Sequence, residues 1–447
     1  MANKIQIPNN NVNERTYILH YLFTNVLGIQ ITIEVSDDVE DYVIELHNSK
    51  TIIIKDYFFN LYQKDLTYLT EKNIPTAIYW YTDTTYINEQ VPVIYGESEI
   101  TDTEHQIVSK IDIFAASFFM LTRWEEHVLH QHKDKHGRFD ESKSLSVQFN
   151  FFKLPVVNIY IELLWNIITS AGFQADRKKI NYKVKITHDV DQLYRYDTLK
   201  KIAKALIGDV VSRKKPLLTI VTIKDAVKSL INKKHDPYNT FQYLMKCSEK
   251  HGLSSHFYFI PSELNEFDAR YSISSDKAKE IIQQIIQNKH HVGIHGSWNS
   301  FENSDVFHHE YNRLAEYTIK EGRQHYLRFN NPITWQIWED NNLEIDSTVG
   351  FSGRNGFRAG ICYEYPVFHI LQRKQLNLIE SPLIFMEGAL GYNNDPEKFI
   401  EELRGLSLEV KKYGGIFVFL WHPNNLWANE WKKVGKYYEK YLETICS

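Results

Sequence analysis

Asp189 and Asp191 stand two residues apart in KITHDVDQL (residues 185–193), where a hydrophobic VKI stretch runs straight into them. Side chains alternate across a strand, so both aspartates face one way and His188 the other. Two carboxylates that close repel each other, and one would hold its proton more tightly. A cation beside them relieves that. Other apolar runs also end in titratable residues: His295 in VGIHGSWNS, Arg323, His325 and Arg328 in RQHYLRF, and His422 in FLWHPNN. One Asp with two His is a common ligand set for zinc and other divalent ions, with a position left open for water. The second carboxylate is then free to act as a base on that water, and a distant His to act as the acid.

Strand-like segments must position these residues. From residue 181 onward KVKITHD, SHFYFI, HVGIH, RQHYLRF, LEIDSTV, LNLIESP and GIFVFLWHP read as strands, most of them separated by helix-like segments such as DKAKEIIQQIIQNKH. This alternation predicts a parallel sheet with helical crossovers, and seven strands over this length suit a closed or nearly closed α/β barrel. In such barrels the loops at the C-terminal strand ends converge on one mouth, so titratable residues at four strand ends point to one site. Residues 1–180 read as a smaller α/β domain, with YILHYLFTNVL and DIFAASFFMLTRWEEHVLH as helices and IQITIEV and TIIIKD as strands. The charged stretch ADRKKINYK marks the boundary to a second domain, 181–447. His127, His130, His132 and His136 match no metal-ligand spacing and read as part of a solvated segment.

The totals narrow the class. The chain has 447 residues and a formal net charge of −5, which gives no global bias toward nucleic acid. Its three cysteines, Cys247, Cys362 and Cys446, are far apart, which argues against a disulfide framework or a zinc–cysteine site and fits a reducing compartment. The N-terminus has no apolar signal core, and the apolar stretch FFKLPVVNIYIELLWNIITSAGF is interrupted by polar residues, so it reads as a buried helix. The expected location is the cytoplasm.

THDVD, VGIHGSWNS, RQHYLRF, GFRAG and FLWHPNN, in this order over residues 181–447, resemble the polysaccharide deacetylase family, carbohydrate esterase family 4, with its NodB-type domain. They resemble a bacterial subgroup in which that domain follows an uncharacterised N-terminal domain. The resemblance implies a distorted (β/α)7 barrel and metal-dependent removal of an N- or O-acetyl group from a sugar or glycan precursor. By position, Asp189 matches the catalytic base, Asp191 the metal-binding aspartate, His295 the first metal histidine and His422 the general acid. Arg328 matches the arginine that orients the base. The family's second metal histidine falls on Asn299 here, and His325 is the replacement expected by type and location. One divalent ion is implied, zinc first, with nickel, cobalt or manganese as alternatives. Arg358 in GFRAG reads as a substrate-anion ligand, as a partner of Asp189 or as a structural salt bridge, and Trp421 either as a sugar-stacking wall or as core. Two rival readings are an amidohydrolase acting on a non-sugar amide and a carbohydrate-binding protein that has lost its metal.

Residues 198–234 hold ten Lys or Arg against two acids, with apolar residues at near-helical spacing. They leave the active-site end of the first strand. A basic amphipathic helix of this kind lies on an anionic membrane surface, here the inner face, or gathers an anionic, lipid-linked or nucleotide-linked sugar, or simply packs as a lid.

Overall fold

The computed structural model describes residues 3–211, 213–214, 216–389, 391, 395–428 and 431–447. Two sheets carry most of the chain. The first is mixed and uses β1 (Lys4–Pro8), β2 (Thr32–Ser36), β3 (Tyr42–Glu45) and β4 (Thr51–Ile54). It skips a small hairpin of β5 (Tyr79–Tyr81) and β6 (Val91–Val93), then takes in β7 (Gly96–Asp102) and β8 (Gln106–Ile111), in the order β2-β1-β3-β4-β8-β7.

The second sheet contains β9 (Lys183–Val190), β10 (Ser255–Phe259), β11 (His291–Gly296), β12 (Glu321–Gln324), β13 (Ile345–Asp346), β14 (Tyr365–His369), β15 (Lys374–Glu380), β16 (Phe385–Met386) and β17 (Ile416–Leu420). Its order is β14-β15-β13-β12-β11-β10-β9-β17-β16. All pairings are parallel except β14 with β15. Residues 381–384 alone join β15 to β16 near the opposite edge. A flat sheet would set those strands seven spacings apart, about 33 Å, whereas the connection reaches only about 17 Å. The sheet must therefore curl. The linking run bonds to both sides of the gap: Ser381 N donates to Asp346 O (2.7 Å) and Ile384 N to Val418 O (3.3 Å). The result is a partly open, distorted barrel.

Crossover helices cover the outside. In Asp276–Gln287 the buried residues Ala278, Ile281, Ile282 and Ile285 recur at helical spacing, and the Ser275 hydroxyl caps the first turn by accepting from Ala278 N (3.3 Å). The lumen is polar and layered by strand alternation. Lys185 and Glu321 lie at its lower end, with Nζ–Oε2 at 2.8 Å. Thr187, Tyr258 and Arg323 come next, the guanidinium over the Tyr258 ring at 5.4 Å and bonded to Thr187 Oγ1 at 3.1 Å. Gly293 leaves room for this layer, since a Cβ there would run into the Tyr258 ring and the Glu321 carbonyl. Asp189, Asp191, His295 and His325 follow at the upper end.

The first 180 residues brace that upper end. DIFAASFFMLTRWEEHVLH folds as two helices, Ile113–Thr122 and Trp124–Val128, broken at Arg123 (φ 51°), rather than as the one helix its periodicity predicts. The break exposes the Thr122 and Arg123 carbonyls to the Asn331 amide, at 2.8 Å each. Glu126, on the second helix, grips Arg358, and Glu141 accepts from Ser352 Oγ (2.7 Å) and Gly353 N (2.9 Å).

Candidate functional site

Asp189 closes β9 fully buried, and Arg323 Nη1 donates to its Oδ1 at 2.8 Å. Arg323 is itself fixed by Ser347, with Nε to the carbonyl at 2.8 Å and Nη2 to the hydroxyl at 2.9 Å. Burial pushes the Asp189 carboxyl up, but Arg323 and the nearby His295 more than offset it, so it lies below the usual carboxylate range. The arginine on this aspartate is thus Arg323, not Arg328. β12 stops at Gln324, and the backbone turns through positive φ at Tyr326 (60°) and Leu327 (55°). That turn sends Arg328 outward, where its guanidinium lies 4.2 Å from the Trp298 ring and 4.0 Å from Phe301 and donates to the Trp298 carbonyl.

Asp191, His295 and His325 bring three ligand atoms within 4.8 Å of one another. His295 Nδ1 donates to Arg323 O (2.8 Å), which aims its Nε2 at Asp189 Oδ2 (3.6 Å) and Asp191 Oδ1 (3.9 Å). Burial lowers the His295 pKa to about 4, so the ring is neutral and its Nε2 lone pair is available. His325 Nε2 lies 3.5 Å from the same Asp191 oxygen. Asp191 Oδ1 and His325 Nδ1 are buried without a hydrogen-bond partner. A carboxylate oxygen with no donor, faced by two histidine nitrogens, fits a divalent ion. Asn299 is exposed on the turn after β11.

His422 follows β17 at the same end. Its Nδ1 donates to the fully buried Glu387 Oε1 (2.7 Å), which also accepts from Asn425 Nδ2 (2.9 Å). Burial would lower the His422 pKa, but Glu387 outweighs it and the ring is raised to about 10. Nothing in the sequence flagged Glu387, which follows the two-residue strand β16 with no motif around it.

Two further assignments change. Trp421 is fully buried against Phe399, Phe419, Trp431, Tyr438 and Tyr441 and belongs to the core, because alternation turns it away from the lumen while His422 enters it. Arg358 is spent on a buried ion pair, Nε and Nη2 to the Glu126 carboxylate at 2.9 and 2.6 Å and Nη1 to Gly350 O at 2.8 Å. Arg358→Ala is expected to cost about 3 kcal/mol, because the buried Glu126 would keep only Arg123 (Nε–Oε1 3.0 Å), which Glu125 also shares. Urea unfolding checks this: the midpoint should fall, whereas a substrate ligand would leave stability unchanged and raise KM. His188 packs on Phe257 and bonds Trp421 O (2.7 Å), away from the site.

Aromatic rings line the mouth instead. His325 meets Tyr326 (4.5 Å between centroids), Tyr326 meets Trp298 (5.2 Å), and Trp298 stacks on the exposed Phe267 (4.2 Å). His136, in the segment read as merely solvated, packs on Tyr326 (5.0 Å), and Arg138 beside it donates to Tyr326 O (3.2 Å).

His256, His291 and Glu321 form a second cluster at the opposite barrel end, beside a cavity of about 1010 Å³. It suits a metal less well. Glu321 is engaged by Lys185 and His256, and the two imidazoles stack nearly parallel (12°), so their lone pairs cannot converge on one point. Of the two clusters, the one at the C-terminal strand ends therefore has the geometry that fits a metal ion.

Among known proteins, a family model described as a family of unknown function (DUF7033) matches residues 4–172. No curated protein matches the chain. A solved structure titled "Crystal structure of putative polysaccharide deacetylase from Mycobacterium smegmatis" is similar at 15% identity and a TM-score of 0.38, over 60% of this chain and 85% of that one.

Proposed function

We propose that the protein is a metal-dependent hydrolase that removes an N- or O-linked acetyl group from a sugar or glycan precursor. The observation that carries this reading is the convergence at one mouth of an arginine-held carboxylate, an Asp–His–His cluster with an unpartnered carboxylate oxygen, and a glutamate-held histidine. Asp191, His295 and His325 would hold the ion, and their mixed N/O chemistry favours zinc, with nickel, cobalt or manganese as substitutes. A divalent ion there supplies Lewis acidity toward the acetyl carbonyl and acidifies water. Asp189, kept ionised by Arg323, takes the proton of the attacking water. His422, kept protonated by Glu387, donates to the departing amine or hydroxyl. The aromatic mouth of Trp298, Tyr326 and Phe267 favours a sugar ring over a small non-sugar amide. We place the domain boundary near residue 180, since the two sheets fall on either side of it.

Acetate release from acetylated sugar oligomers by zinc-loaded protein tests the reading. Turnover only of simple amides would favour the amidohydrolase alternative, and sugar binding without turnover would favour a binding protein. The Glu387–His422 pair predicts a pH dependence. A histidine with a raised pKa donates until pH climbs through that value, so kcat/KM should fall on the alkaline side near pH 10. Glu387→Gln removes the carboxylate that raises it, and the alkaline limb should move toward the ordinary histidine value of about 6.5. An unmoved limb would assign the acid to another group.

A further inference from the structure

The helices Leu199–Val211 and Leu218–Ile231 form a hairpin whose polarity is inverted. Its interior is polar: the buried Asp209 accepts from Thr222 Oγ1 (2.5 Å) and from Arg213 Nη1 (2.8 Å), and the buried Ser229 hydroxyl donates to Asp236 Oδ2 (2.6 Å). Its exterior is aliphatic. On the first helix Leu199, Ile207, Val210 and Val211 stand exposed along one side. On the second, Ile220, Ile223, Val227, Leu230 and Ile231 make a stripe at helical spacing, with Ile231 80% exposed. Of the 21 large apolar side chains exposed among the described residues, 11 fall between 199 and 231, so this is a patch and not ordinary scatter. Ser212 and Lys215 lie outside the described residues.

We propose that this hairpin docks the protein on an anionic phospholipid surface. The exposed ammonium groups of Lys200, Lys204, Lys224 and Lys228 are interleaved with the aliphatic stripes, the pattern of a helix lying in the headgroup region. No helix of the described residues is long and apolar enough to cross a membrane, so the hairpin lies on the surface. A second copy of the chain is a poorer occupant: a two-fold contact through this patch would set its lysines against those of the partner. The foot of the hairpin leans on the site. Lys201 Nζ donates to Arg270 O (3.0 Å), and Arg270 N donates to Asp191 O (3.2 Å). Docking would thus hold the mouth close to the headgroups. The proposal does not depend on the hydrolytic reading.

Cosedimentation of the full chain with phosphatidylcholine vesicles, with and without phosphatidylglycerol, tests it. Binding is expected only to the anionic vesicles and should weaken steeply as salt rises. Lys224→Gln with Lys228→Gln should weaken it roughly tenfold or more. Ile223→Ser, Val227→Ser and Ile231→Ser together should abolish it. These side chains are exposed, so both variants should keep the wild-type thermal midpoint, and the charge variant alone suffices if the apolar one misfolds. Absent binding, equal binding to neutral vesicles, or binding unchanged in the charge variant would overturn the proposal. So would a dimer in sedimentation that dissociates in the apolar variant while vesicles are not bound.

Discussion

Asp189→Asn is expected to lower acetate release by about 10²–10⁴-fold while leaving the metal content of the protein unchanged. The amide nearly preserves the shape of the carboxylate, and its oxygen can still accept from Arg323 Nη1, so the lumen layer beneath stays ordered. What is lost is the basic oxygen. Asp189 is not one of the three converging ligand residues, although its Oδ2 lies 3.6 Å from His295 Nε2. Activity and metal content measured on the same preparation separate base from ligand. Loss of both in Asp189→Asn would make this aspartate a ligand and require another base.

His325→Ala is expected to reduce divalent-metal affinity at least about 100-fold, since even groups that only support a ligand contribute about 10–100-fold. Asn299→Ala should change it little, because that side chain is exposed on the turn beyond β11. Metal titration of the stripped variants with a competing chelator checks both. The reverse ranking would return the third ligand to Asn299 and reduce His325 to a neighbour of the aromatic mouth.

The parts of this site legible in the sequence are those governed by strand alternation. Asp189 and Asp191 share a face two residues apart, and Thr187 and Lys185 continue the same column below them. The same rule puts Glu321 and Arg323 in register on β12 with His325 just past its end, but RQHYLRF reads as one long strand and does not show where the strand stops. A turn through two residues at positive φ carries no strong local signal when those residues are Tyr and Leu. That turn carries Arg328, the arginine that the resemblance assigns to the base, away from Asp189. Glu387 was illegible for a related reason: β16 is two residues long, and it lines the site only because the sheet curls. Trp421 and Arg358 show the limit of reading a motif by residue type. Their neighbours in space, the aromatic cluster under β17 and Glu126 of the N-terminal region, are set by packing between segments distant in sequence.

One divalent ion is expected at the C-terminal strand ends, between Asp191, His295 and His325. The most direct test is an anomalous-scattering map, collected at the zinc edge, from crystals of the zinc-loaded protein. The account predicts a single peak at about 2.0–2.2 Å from an Asp191 oxygen and one nitrogen each of His295 and His325. No peak there, or a peak instead among His256, His291 and Glu321 at the other end of the barrel, would contradict it.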